Sequence, residues 1–228
     1  MKNEEILHFL NGLKENNTRE WMDEHKPTYQ ECRKAMIEII ENQIEAIAKW
    51  EPGLETLTAK ECIFRINRDI RFSKNKQPYK QHFGAFIAQG GRHTEFAGYY
   101  VHIEPNNTFV GGGIYMPPSE ILKKIRQEID YNASDFHKIT DDNKFKQFFG
   151  EVQGERLKTS PKGYPKDHPE IDLLRLKSFT ATHHFKDEEV IKENFNQKIT
   201  EVFEVLRPFN QFLDMAVKYE EEPPNLEL

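Results

Sequence analysis

The residues whose types and spacing can do chemistry are concentrated between Phe64 and Lys80, in the stretch FRINRDIRFSKNKQPYK. Arg65, Arg68, Arg71, Lys74, Lys76 and Lys80 stand there against a single acid, Asp69. Guanidinium forks match phosphate and carboxylate oxygens two at a time, and ammonium groups add charge, so the chemistry expected is anion binding. From Lys60 to Arg92, eight Lys or Arg face two acids, a net +6; the whole chain carries −6, which leaves −12 for the remainder. A cationic island on an otherwise acidic surface attracts anions locally. Tyr79 beside Lys80 and Phe72 beside Arg71 add rings on which a base or another ring can stack. The acidic remainder would repel a long polyanion. A compact phosphorylated or otherwise anionic ligand therefore suits the polarity best, with or without enzymatic activity. The alternatives are a nucleic-acid-binding module and an interaction protein that docks an acidic partner through the basic loop. The competing structural explanation is a solvated loop whose arginines pair with acids elsewhere.

Other chemistries find less support. His102 and Glu104 sit two apart on one expected strand, and His82, His93, His183 and His184 are scattered around them. No zinc-ligand spacing results, so no metal and no cofactor is expected. There is no Gly-x-Ser-x-Gly nucleophile elbow. Cys32 and Cys62 lie in apolar surroundings, where a thiol is inert. Asp69 among three arginines is expected to stay ionised, which suits an ion pair better than proton donation.

The elements that must position these groups are read from periodicity. Ile6, Leu7, Leu10 and Leu13 recur at helical spacing over residues 3–15. Asn17 is expected to cap a second short helix with Glu20 reaching back, and Thr28 with Glu31 opens a long helix that runs to about Trp50. From Lys60 the period becomes that of strands. Strands are predicted over 61–67, 83–89, 97–104 and 108–115, joined by turn residues into an antiparallel meander. Alternation places Tyr100, His102 and Glu104 on one face, opposite Ala97, Tyr99, Val101 and Ile103. If polar faces coincide, Arg65 and Asn67 join Tyr100, His102 and Glu104, and Asn67, Asp69, Tyr100, His102 and Glu104 are the expected wall of a pocket beside the cations. Gly111, Gly112 and Gly113 inside the last strand imply a close approach, with a helix over them as the favoured cause.

The rest reads as helical. Helices are predicted from Pro118 through Ile129, over 134–140, over 143–149, across Ile171–Leu176 and from Asp187 onward, with Pro208 kinking or ending the last one. Residues 220–228 form an acidic tail expected to fray. The fold class is thus α+β: an antiparallel sheet of at least four strands, about residues 61–115, packed by N- and C-terminal helices in one domain spanning 1–228. No run of 18 apolar residues exists and the N-terminus lacks a basic start with an apolar block, so no membrane span and no secretory signal is expected, and the cytoplasm is the expected location.

The sequence resembles the domain of unknown function 2461 family over nearly its whole length. The likeness rests on Phe9-Leu10-x-x-Leu13-x-x-Asn16-Asn17-x-Arg19-Glu20-Trp21, on His25-Lys26-x-x-Tyr29, and above all on Arg65-Ile66-x-Arg68-Asp69-x-Arg71-Phe72-Ser73-Lys74-x-Lys76-x-Pro78-Tyr79-Lys80. Gly98-Tyr99-Tyr100, Gly112-Gly113-x-Tyr115-x-Pro117 and Asp167-His168-Pro169 match as well. Asn67 stands where an aromatic residue is expected. The resemblance implies one continuous domain and a soluble protein, and carries no activity with it.

Overall fold

The computed structural model describes residues 2–218, so the acidic tail lies outside the described residues. Helices α1 (Lys2–Glu15), α2 (Arg19–Glu24) and α3 (Lys26–Ala48) come first. α1 buries Ile6, Phe9, Leu10 and Leu13 on one stripe, and α3 answers with Met36, Ile39, Ile40 and Ile47. Thr18 caps α2, its hydroxyl accepting the Trp21 N–H, in place of the Asn17 cap predicted from sequence. Asn17 instead reaches across the fold. Its Oδ1 accepts the Tyr79 N–H at 3.1 Å and its Nδ2 donates to the Tyr79 carbonyl at 3.0 Å.

The strand predicted over 61–67 does not form. The Glu61 carboxylate accepts the Thr58 backbone N–H at 2.8 Å and the Thr58 hydroxyl at 2.6 Å, a capping box that turns Ala59–Cys62 into the short helix α4. Beyond α4 the chain is extended but unladdered, with isolated bridges from Ile63 to Ala85 and from Asn67 to Tyr79.

The sheet nevertheless has four antiparallel strands, in the order β1 (Phe83–Ile87), β2 (Gly98–Ile103), β3 (Thr108–Ile114), β4 (Phe179–Phe185). Between β1 and β2 lies a 3-10 turn over Gly91–His93. β4 arrives after α5 (Ser119–Tyr131), α6 (Ala133–Thr140), α7 (Asn143–Phe149) and α8 (Ile171–Leu174). Its sequence, FTATHHF, alternates Phe179, Ala181 and Phe185 inward with Thr180 and Thr182 outward, a period-2 pattern.

After β4 come the one-turn helix α9 (Asp187–Val190) and the long α10 (Phe195–Lys218). α10 continues through Pro208, where the sequence predicts a kink or a stop. A proline inside a helix costs about 3 kcal/mol. Beyond it Phe209, Phe212 and Leu213 are buried, and at about 2 kcal/mol each their burial outweighs that cost.

α10 lies on one face of the sheet, where Tyr99 packs on Phe203 with ring centroids 5.0 Å apart. Gly112 makes this contact possible: a Cβ there would meet the Gly98 carbonyl oxygen and come within 2.6 Å of Leu206 Cδ2. Gly113, at φ +102°, occupies a backbone conformation that side-chain-bearing residues resist. The helix over the glycines is therefore present as the sequence leads one to expect. Among the described residues, no helix is long and apolar enough to cross a membrane.

Candidate functional site

The face of the sheet away from α10 is hollow. Register puts His102 opposite Gly84 on one side and Phe109 on the other, and Tyr100 between Phe86 and Gly111. Thr182 lies across from Gly111 on β4. These strands floor a cavity of 660 Å³, the size of a small-molecule site. The extended stretch after α4 and the link between β1 and β2 raise its walls, supplying Phe64 and Lys80 on one side and Arg92, Thr94 and Phe96 on the other. Most of the lining is aromatic or glycine, with few charges.

Lys80 is the lining cation most available to a ligand. Its ammonium sits 5.4 Å from the Phe64 ring centroid, and among the described residues no carboxylate pairs with it. Partial burial, and then the neighbouring Arg65, push its pKa below that of an ordinary lysine. Arg92, by contrast, is tied down, one guanidinium nitrogen donating to the carbonyls of Lys60 and Glu61 at 3.2 and 2.8 Å.

At one end of the cavity, His102 Nδ1 and the Tyr100 hydroxyl are 3.2 Å apart, and His102 Nε2 lies 3.0 Å from Glu104 Oε2. His82, one residue before β1, lies against His102 with ring centroids 4.2 Å apart and the planes tilted by 31°. His82, His102 and Glu104 each offer one metal-ligating atom, and the three atoms lie within 4.8 Å of one another. Burial, and then His102, push His82 down to about 4. Burial also lowers His102, more than its hydrogen bond to Glu104 raises it. For Glu104, burial acts upward, but the bonds from His102 and Asn107 outweigh it and keep the carboxyl below its usual range. At neutral pH the trio is thus two neutral imidazoles beside an ionised carboxylate. Tyr100, raised to about 12 by burial and then by Glu104, keeps its proton. Gly84 leaves room for that hydroxyl: a Cβ there would lie 2.8 Å from it.

The basic stretch is distributed differently from what the charge count suggests. Only Lys80 of its cations lines the cavity. Phe64, not Arg65, faces inward, because the strand parity predicted over 61–67 is absent. Arg68 braces the loop, donating to the Gln77 carbonyl at 3.1 Å and the Ser73 hydroxyl at 3.4 Å. Arg71 makes two bonds to Asp69, at 3.0 and 2.7 Å, which lower the aspartate's pKa as expected. Lys76 donates to the Ile70 carbonyl, and Lys74 is exposed. Asn67 is outside the cavity, bridged to Tyr79. Tyr79 is half-buried, held by Asn17 rather than turned into the site. Of the expected wall, Tyr100 and His102 line the cavity, and Glu104 stands behind His102. Phe86, Phe96 and Phe109 carry no signal that separates a pocket-lining ring from a core ring. His82 needed the β1–β2 register, which places it across from Glu104, and the long link between those strands hides that register from the sequence.

The N-terminal residues of the family pattern support the same region. Trp21 stacks on His25 with ring centroids 3.9 Å apart; Tyr29 stacks on Phe83 at 6.2 Å, so Asn17 holds the Tyr79 backbone and Tyr29 packs on the start of β1. Both cysteines are buried thiols pushed up to about 12, chiefly by burial.

The architecture is thus α+β: an antiparallel sheet with a long helix on one face and a glycine-floored cavity on the other. The profile of a family of conserved hypothetical proteins, DUF2461, matches residues 5–212, and the chain belongs to that family. No curated protein and no solved structure matches the chain.

Proposed function

We propose that the cavity binds a compact anionic ligand with a planar or apolar body, its anionic group at Lys80 and its body among Phe64, Phe86, Phe96 and Phe109. The observation that carries the reading is Lys80 itself. An ammonium held partly out of water beside Arg65, with no paired acid among the described residues, is destabilised as it stands, and an anion relieves it. Aromatic walls add stacking area for a ring, and glycines let a ligand approach the strand backbone. A phosphorylated small molecule, a nucleotide or a ring-bearing carboxylate fits that chemistry.

The test is calorimetry with inorganic phosphate, AMP, ATP and short oligonucleotides on wild type and Lys80→Met. A ring-bearing anion is expected to bind wild type and lose at least ten-fold in Lys80→Met. Equal affinity in the two proteins would remove Lys80 from the reading.

A second reading has its own observation. Phe72 is 94% exposed in the basic loop, with the Arg71 guanidinium 5.9 Å from its ring centroid. An exposed aromatic among Lys74 and Lys76 suits docking of an acidic protein surface. Phe72→Ala would weaken such docking and leave ligand binding in the cavity unchanged.

A further inference from the structure

The trio at the end of the cavity has a chemistry that anion binding does not use. We propose that His82, His102 and Glu104 form a three-ligand site for a divalent transition metal ion, with its remaining coordination positions open to the cavity. Two imidazoles and one carboxylate are the donor set that suits zinc, iron, manganese, cobalt or nickel. His82 and His102 both line the cavity, so an ion held between them would face it.

Geometry supports a common ion. Metal–nitrogen and metal–oxygen bonds of about 2.1 Å put neighbouring ligand atoms roughly 3–4 Å apart. His102 Nε2 and Glu104 Oε2 are already 3.0 Å apart. All three ligating atoms fall within 4.8 Å of one another, so closure onto an ion needs a side-chain adjustment of about an ångström. Register enforces the meeting. His82 precedes the Phe83–Ile103 pair and so stands across from Glu104, while His102 projects from the same face two residues before it.

The surrounding bonds orient the ligands, as they do around established metal sites. Asn107 Nδ2 donates to Glu104 Oε2 at 2.7 Å. The Tyr100 hydroxyl can donate to His102 Nδ1 or accept from it. When Nε2 binds an ion, the His102 proton moves to Nδ1 and the hydroxyl accepts it; without an ion, Nε2–H donates to Glu104 and the hydroxyl donates to Nδ1. The site therefore has a satisfied hydrogen-bond pattern in both states. A purely structural hydrogen-bond chain explains the His102–Glu104 contact. It gives no reason for a second, partly buried imidazole 4.2 Å away with no hydrogen-bond partner of its own among the described residues.

The test uses the full, untagged chain, stripped with a chelator, dialysed, and titrated with Co²⁺ by visible absorption and with Zn²⁺ by calorimetry. One saturable equivalent per chain is expected, with cobalt d–d bands. His82→Ala and Glu104→Gln should each weaken binding at least ten-fold. His8→Ala, on an exposed position of α1, should change nothing. Circular dichroism checks that each variant is folded, and His82→Ala and Glu104→Gln serve in place of His102, whose burial makes it the riskiest to remove. Absence of a saturable equivalent in wild type, or undiminished binding in both His82→Ala and Glu104→Gln, overturns the proposal. The inference does not depend on the anionic ligand: Lys80→Met is measured on metal-free protein, so either result can fail while the other stands.

Discussion

Arg71 and His102 each hold a carboxylate, Asp69 at 2.7 Å and Glu104 at 3.0 Å, in opposite settings. The Arg71 and Asp69 side chains are 77% and 48% exposed, those of His102 and Glu104 9% and 23%. Between exposed groups water screens the attraction, and the pair decorates a loop. Between dehydrated groups even the hydrogen bond from a neutral imidazole to a carboxylate is strengthened and fixes geometry. The basic loop is dense in charge but divergent: Arg68, Arg71 and Lys76 bond their own loop's carbonyls and acid, and Lys74 is exposed. The cavity wall is sparse in charge but convergent. A site requires convergence, and the cavity has it where the loop does not.

The largest expected effect breaks the cavity floor while leaving the loop alone. Gly112→Ala drives a Cβ into the Gly98 carbonyl and Leu206, and overpacking of that kind costs about 3 kcal/mol; urea denaturation measures it. Lys74→Ala in the loop should leave the same curve unmoved.

Next is a carboxylate that belongs to neither region and so separates pH effects on the fold from those on the site. Asp214 accepts the Ala97 N–H at 2.7 Å, and burial raises its pKa from 3.8 to about 6. A group raised in the folded state contributes stability that is present below its unfolded pKa and is lost as pH rises through the folded value. Between about pH 4 and 6 the wild type should therefore lose stability from this group. Asp214→Asn keeps an acceptor without the charge. It should be more stable than wild type by about 3 kcal/mol at pH 7.5 and by nothing near pH 4, in thermal melts at both.

A smaller effect is expected from Gly84→Ala. Its Cβ crowds the Tyr100 hydroxyl, costing about 1 kcal/mol in urea denaturation. It should also weaken Co²⁺ binding by disturbing the bond that orients His102. The smallest effect is that of Arg71→Ala, which should change neither the melting temperature nor ligand affinity. A loss of affinity there would move the site back to the loop.

Much of the fold is legible in the sequence. Period changes locate three of the four strands and most helices, and alternation puts Tyr100, His102 and Glu104 on one face. The failures have local causes. A capping box at Thr58 overrides the β-rich Cys62–Ile66 run and leaves the fourth strand to a distant segment, which restores the expected strand number from another place. Losing the strand over 61–67 also reverses which of Phe64 and Arg65 turns inward. Counting charge identifies Lys80 but does not distinguish it from Arg68, Arg71 and Lys76, because the loop's internal bonds depend on where its carbonyls turn. His82 is invisible as a partner of Glu104 until the register is fixed.

The most direct test of the claim that the cavity, not the basic loop, receives the ligand is an amide NMR titration of the assigned protein with AMP and with inorganic phosphate. Saturable AMP shifts are expected at Gly84, His102 and Gly111–Gly113, with Arg68–Lys76 unmoved. Shifts confined to Arg68–Lys76, or no saturable shift at the cavity amides with either compound, would contradict it.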